Sequence, residues 1–425
     1  MSGGPKTERW SSYRYSGRMG RANLQFSISH LGFPIFLPLV LLCLILGGTH
    51  PAKAGDPAPY RKLSEAGAGF LGPGRNDPEP QGLRSVRIGL IGPVGRPEGM
   101  RLREGVALAI AEANARGGYR NLPYELVFRP DDGPWGMGAK QVTALAYDDS
   151  VWVVLDGLDG AEAHLAELVA AKIWVPVVVP VASDFTIDYA NVPWVFRCFP
   201  SDQRQAAALV RYAKGRGYGR LLVFTEADRE GRTGLLRLRD MAGRSRFPLA
   251  RTLEFNPQVP EAVLDSVKLS SADAVLVWGR PDSGLRLLLE IRRAGFEGPV
   301  LVPACILSPE LSAQGSGLGE LVLAAPYDLS RTDEALGALR RRYIAKTGQP
   351  PDPVALFAYD AANLVISAIQ RAGLNRARIR DTLAEQAYEG VVGTIRFGGL
   401  RGTDTEPVLM RLEGGTWVRL DSRAD

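Results

Sequence analysis

The sequence predicts an α/β chain of two lobes, each a mostly parallel sheet flanked by helices. Three observations carry this. From Val86 onward the short strands are almost continuously apolar, as strands covered on both faces are. Amphipathic helical segments alternate with them. The alternation then runs through a second time, so one sheet is followed by another with room for a cleft between them.

The first unit opens with the β-rich run Val86–Ile91, stopped by Gly92-Pro93. A helix follows from about Pro97, where Leu102, Val106, Ala109, Ile110 and Ala113 fall on one face and Gly117-Gly118 end it. Next come a strand at 124–128, a helix at about 138–147, a strand at 151–155, a helix at about 161–171 and a strand at 175–179. The second unit reads helix 204–214, strand 220–224, helix 235–241, strand 250–255, helix 260–269 and strand 274–278. A helix at 283–294, with Ser283 and Gly295 as candidate caps, leads to a strand at 300–303. A long helix at 355–372 and strands at 394–397 and 407–412 close the chain.

The formal charge of +5 over 425 residues comes from the N-terminus. Residues 1–54 hold six basic side chains and one acid, and the remainder balances at 45 of each, so a chain-wide footprint for nucleic acid is missing. The same 54 residues read as a secretory signal peptide. An arginine-rich stretch precedes the uncharged apolar run 31–48, and Ala52-Lys53-Ala54 offers a small-residue exit. An uncleaved anchor is the alternative, and Met19 is a second candidate start. Residues 55–85 are rich in Pro and Gly and read as a linker. Export would leave Cys198 and Cys305, expected as two buried thiols.

Catalytic chemistry is sparse. Beyond the leader only His164 remains, inside a helical segment and expected to be an ordinary helix residue. No His-Glu-x-x-His, Cys-x-x-Cys or phosphate-binding loop exists, so neither metal nor cofactor is expected. Gly315–Gly319 is expected to be a surface turn, and Asp131-Asp132 and Asp148-Asp149 to serve turns or caps.

Several ordered segments resemble one family. Ile88–Pro93, Gly105–Asn114 with Gly117-Gly118, Asp131-Asp132-Gly133, Val175–Val178, Phe196-Arg197 with Pro200-Ser201-Asp202, Ala272–Val275, Ala294-Gly295-Phe296 and Ala358–Ala362 are similar to the type I periplasmic solute-binding proteins. The likeness is to the branched-chain amino acid (Leu/Ile/Val) binding family of ABC importers, over about residues 86–420. It implies two lobes joined by three hinge crossovers, near 200, 326 and 388. Lobe one would hold 86–200 and 326–387, and lobe two 201–325 and 388–425. It also implies a monomer in the periplasm that closes on a small molecule and docks on a membrane permease.

The resemblance further implies a site. Lobe one would hold charged ligand groups with loop backbone at Gly160 and Ala161, just before a helix, and with Ala182 and Ser183, of which Ser183 is the leading candidate. In lobe two Arg229 or Glu230 stands where the family has an aromatic residue, and Cys305 stands at the approximate position of an acid that partners a ligand ammonium. Trp135, Trp278 and Arg280 are candidates to line the cleft instead, Trp for apolar area and Arg for its carboxylate fork. The expected function is solute binding for import, with a small polar organic ligand (amino-acid-like, amide or carboxylate) rather than necessarily an α-amino acid. The alternatives are a ligand-sensing receptor module and, last, a secreted α/β enzyme.

Overall fold

A computed structural model describes residues 74–133, 136–256, 265 and 271–420. The leader, most of the linker, Trp135 and, apart from residue 265, the helix expected at 260–269 lie outside the described residues.

The first sheet contains β1 (Val86–Gly92), β2 (Tyr124–Pro130), β3 (Val153–Leu155), β4 (Val177–Val179) and β5 (Val195–Arg197), in the order β2-β1-β3-β4-β5 and parallel throughout. Its helices are α1 (Pro97–Ala115), α2 (Met137–Tyr147), α3 (Gly160–Ile173) and α4 (Phe185–Tyr189). The second half begins with α5 (Asp202–Gly215) and β6 (Leu221–Glu226), then α6 (Arg229–Arg244), β7 (Leu249–Phe255) and β8 (Ala274–Trp278). It continues with α7 (Pro281–Arg293), β9 (Val300–Pro303), α8 (Pro309–Ala313) and β10 (Leu321–Ala325). These strands pair as β10-β9-β8-β6-β7, the same winding as the first sheet, all parallel. Both sheets therefore reverse strand order at an equivalent point, and in such sheets the ligand crevice opens at the carboxyl ends there.

Two helices after β10, α9 (Glu334–Thr347) and α10 (Pro353–Ala372), return to the first sheet and share its core with Val86, Ile88 and Val106. α10 is long and apolar enough to cross a membrane, yet 78% of that stretch is buried inside the protein. It lies against α1 at close range. A Cβ on Gly105 would stand 2.3 Å from the Ala355 carbonyl oxygen, so the helices can approach only because glycine is there. Then come α11 (Arg376–Glu385) and the antiparallel hairpin of β11 (Ala387–Gly390) and β12 (Gly393–Arg396). β13 (Val408–Glu413) and β14 (Thr416–Arg419) add to the second sheet, antiparallel to β10 and to each other.

The β11–β12 hairpin belongs to the first sheet's core through Val392, Ile395 and Phe397. The Asp360 carboxylate on α10 anchors it by accepting the Val391 and Val392 N–H groups at 3.1 and 2.8 Å. β13 then starts at Val408 and joins the second sheet beside β10. The crossings are built tightly. Buried Arg197 at the end of β5 donates from Nε to Asp188 at 2.8 Å, and its backbone pairs with Arg401 and Thr403.

Side-chain caps fix the helix starts: Asp159 for α3, Ser201 for α5, Asp228 for α6, Ser308 for α8, Asp352 for α10. α6 begins six residues before the apolar periodicity suggests, because the buried positions of its first turns are Gly231 and Gly234, which write no apolar signal. Ser283 is not a cap. α7 starts at Pro281, and the Ser283 hydroxyl donates to Glu226 at 2.6 Å. Asp132 accepts the Gly95 N–H at 3.1 Å and ties down the β1–α1 loop, while Asp149 receives Arg129 Nε at 2.6 Å.

Candidate functional site

A cavity of about 570 Å³ lies where the carboxyl ends of the two sheets face each other. From the first half come the β1–α1 loop with Arg96 and Glu98, the β3–α3 loop with Asp159, and Ser183 after β4. From the second half come Glu226 at the end of β6, Arg280 after β8, and Ala304 and Cys305 after β9. The contributing strands, β1, β3 and β4 against β6, β8 and β9, are topological equivalents, so the site forms at both order reversals at once.

The wall is strongly ionic. Seven carboxylates and four guanidiniums line it, with little aromatic surface beyond Phe199. Arg101 holds Asp352 at 3.1 Å, Arg280 holds Asp228 at 2.8 Å, and Arg96 lies 3.6 Å from Asp159. Glu226 accepts the Arg280 N–H at 2.7 Å as well as the Ser283 hydroxyl. Behind Asp159, Asp156 is buried, and neither of its carboxyl oxygens has a hydrogen-bond partner among the described residues. Its pKa stands well above the carboxylate range, chiefly through burial and then through Glu162 and Asp131. Among the described residues no group of three or more His, Cys, Asp or Glu is arranged to hold a metal ion.

One edge of the cleft is bridged. Glu230 Oε1, in the first turn of α6, accepts the Gly160 N–H at the start of α3, at 3.0 Å. Burial pushes Glu230 up to about 7, with Asp159, Asp184 and Asp202 adding to the shift and the Gly160 bond opposing it. Next to it Arg229 donates from Nε to Asp184 at 2.9 Å and from Nη2 to the Thr186 hydroxyl at 3.1 Å. Asp184 has no exposed side-chain surface.

The candidates read from sequence fall into three groups. Ser183, Arg280 and Cys305 line the cavity; burial raises the Cys305 thiol well above its ordinary pKa. Gly160 and Arg229 belong to the bridge, while the Ala161 N–H is taken by Asp159 at 3.0 Å. Ala182 and Trp278 do not reach the cleft. Ala182 is packed in an apolar cluster beneath the first sheet. Trp278 is 1% exposed, and its indole fills the space over Gly234, where a Cβ would stand 2.3 Å from Cε2. Trp135 lies outside the described residues. Cys198 and Cys305 are both free thiols.

His164 is more than a helix surface residue. Its Nδ1 lies 2.6 Å from Glu167 and its Nε2 2.7 Å from the Thr186 hydroxyl, an acid–imidazole–hydroxyl line. The Thr186 hydroxyl also lies 2.6 Å from Asp184 Oδ1 and accepts Arg229 Nη2, so its single proton is contested between Asp184 and the His164 ring. Thr186 is not among the residues that line the cavity. The line braces the bridge. Glu226, Glu98 and Asp352 are additional to the residues the sequence points to; the pairs Pro97-Glu98 and Asp352-Pro353, which mark helix starts, are the signal for two of them, and Glu226 carries none.

The family profile described as "Periplasmic binding protein" matches residues 85–411. Among solved structures, the branched-chain amino acid transporter substrate binding protein LivJ from Streptococcus pneumoniae, in complex with isoleucine, is 20% identical. It covers 79% of this chain and 100% of its own, with a TM-score of 0.69. A solute binding protein of an ABC transporter from Rhodopseudomonas palustris BisB5, in complex with 3,4-dihydroxy benzoic acid, is 16% identical, covering 80% and 97%, with a TM-score of 0.70. At such identities the likeness is one of fold. Glutamate receptor 3.4 of Arabidopsis thaliana is 22% identical over 264 residues, 61% of this chain, and the match spans 27% of that receptor's length. With two equivalent sheets facing across one cavity and a profile match over more than three quarters of its length, the chain belongs to the periplasmic binding protein family.

Proposed function

We propose that the protein is an extracytoplasmic solute-binding component of an ABC-type importer, trapping a small polar organic molecule between its lobes and presenting it to a membrane permease. The carrying observation is the cavity lined at once from the carboxyl ends of both sheets. A ligand that touches both walls binds the closed form better than the open one and shifts the population toward it. Ser183, Arg280 and Cys305 are the ligand-facing candidates, with Arg229 and Glu230 as closure contacts. We place the hinges at 198–201, near 326 and at 404–407.

A second reading, a ligand-sensing module not coupled to transport, is favoured by the match to part of a plant receptor. The test is to purify the protein natively, identify co-purifying small molecules by mass spectrometry, and add each back to stripped protein in X-ray scattering. A compound that shrinks the radius of gyration supports the reading; profiles that stay the same with every compound recovered defeat it. Co-isolation of a permease rather than a signalling protein separates import from sensing.

A further inference from the structure

We propose that the cleft recognises its solute through a cationic nitrogen group, an amine, amidine or guanidine, with Glu230 as its counter-charge, and that it excludes carboxylates. This rests on the solute-trap reading and names the class of solute.

Helix N-termini are the ready-made seats for anions in this fold. Five of them, those of α1, α3, α7, α8 and α10, open on the cavity. Each has an acid of the chain at its cap, bonded to it, or in its first turn. Glu98 and Glu310 stand in the first turns of α1 and α8. Asp352 caps α10. Glu226 takes the Arg280 N–H at the start of α7, where Asp282 also stands in the first turn. At α3, Asp159 takes the Ala161 and Glu162 N–H groups and Glu230 takes that of Gly160. A ligand carboxylate arriving at α3 would find the seat filled by a carboxylate.

Most guanidiniums of the wall are already engaged. Three of the four in the wall are engaged by acids of the chain, Arg96 by Asp159, Arg101 by Asp352 and Arg280 by Asp228. Carboxylates outnumber them, so the wall carries an excess of three negative charges when all are ionised. Asp131 and Asp156 lie outside the lining and hold carboxyl oxygens that no described residue satisfies, and burial raises the pKa of both, so they add little charge to the wall. Such a wall repels an anion and is completed by a cation with N–H donors. Glu230 is the group suited to meet it: one oxygen is anchored on Gly160 and it stands in the cavity wall itself.

The test uses matched sets on stripped full-length protein: leucine, isopentylamine, 4-methylpentanoate and 4-methylpentanamide; phenylalanine, phenethylamine and 3-phenylpropanoate; arginine, agmatine and 5-guanidinopentanoate. Thermal shift and scattering are read for each. In at least one set the member with a cationic group and no carboxylate is expected to raise the melting temperature and close the lobes, while the carboxylate-bearing members do not. Glu230→Gln keeps the oxygen that accepts Gly160 and removes the charge, and is expected to weaken that member about tenfold. A carboxylate or amino acid binding more tightly than its amine, the neutral amide matching the amine, unchanged affinity in Glu230→Gln, or silence of every amine each overturns the proposal. If a carboxylate closes the lobes, the solute-trap reading stands while this inference falls; if nothing added or co-purified does so, both fall.

Discussion

Arg229, at the start of α6, reaches across to Asp184, a carboxylate with no solvent exposure at the start of α4, with Nη2 2.8 Å from Oδ2. The pair joins the two halves of the protein at the edge of the cleft, beside the Glu230–Gly160 hydrogen bond. Asp184 keeps its bonds to the Thr186 N–H and hydroxyl, so it is not stranded if the guanidinium withdraws, and opening is affordable.

Arg229→Ala is therefore expected to open the cleft without unfolding either half. The Arg229 side chain is 40% exposed, so its loss costs only about 1–2 kcal/mol, less than for a buried pair. Scattering should show a larger radius of gyration for the ligand-free variant than for the parent, and urea unfolding a small loss. An unchanged radius would mean that the bridge does not hold the closed form.

Trp278→Ala is expected to cost about 3–5 kcal/mol, as truncation of a buried Trp does. The indole sits at the end of β8 with its ring over Gly234, within the cluster beneath α5 and α6. Its fluorescence should also lie at the blue, buried end and stay put when ligand is added. A spectral shift on binding would place it at the cleft surface after all.

What the sequence reveals follows from how completely each segment is buried. β8 and β9 coincide with their expected bounds because every residue in them is buried, and full burial writes an apolar run. β5 is three residues long and ends in Arg197, a charge hidden by its pair with Asp188, so it carries no such run. α9 and α11 bury only a few positions each and look polar. The site divides the same way. Ser183 and Arg280, which the sequence suggests as candidates, line the cavity because they follow apolar strands whose carboxyl ends open on it. Glu230 meets a residue 70 positions away, and no local pattern encodes that meeting. Trp278 misleads because a strand's last residue points either to the loop or to the core, and the glycine that decides it lies on another element.

Stability is expected to fall as pH rises from about 5 to about 8. Glu230, Asp202 and Asp360 are all pushed up to about 7, each first by burial. Each binds its proton more tightly in the folded chain than in the unfolded one, where carboxyls titrate near about 4. The stabilisation is therefore complete below about pH 4 and is lost as pH climbs through about 7. Carboxylates held low, such as Asp273 beside Arg220 and Asp333 at the start of α9, act the other way, but only at the acid end. Denaturant midpoints across this range check the sign; a midpoint that climbs steadily from pH 5 to 8 would contradict it.

Ser183→Ala is expected to weaken whichever ligand is found by about fivefold, through loss of a hydrogen bond worth roughly 1 kcal/mol, while leaving the melting temperature of the empty protein close to the parent's. The separation of the two effects is structural. Ser183 lines the cavity, and the contact that fixes the local fold is made by its carbonyl, which accepts the Asp202 N–H at 2.7 Å and survives the substitution. Calorimetry on the variant, run beside a melting curve, reads both quantities at once. Equal affinity removes the hydroxyl from the binding surface, and a large drop in melting temperature would show that it serves the fold instead.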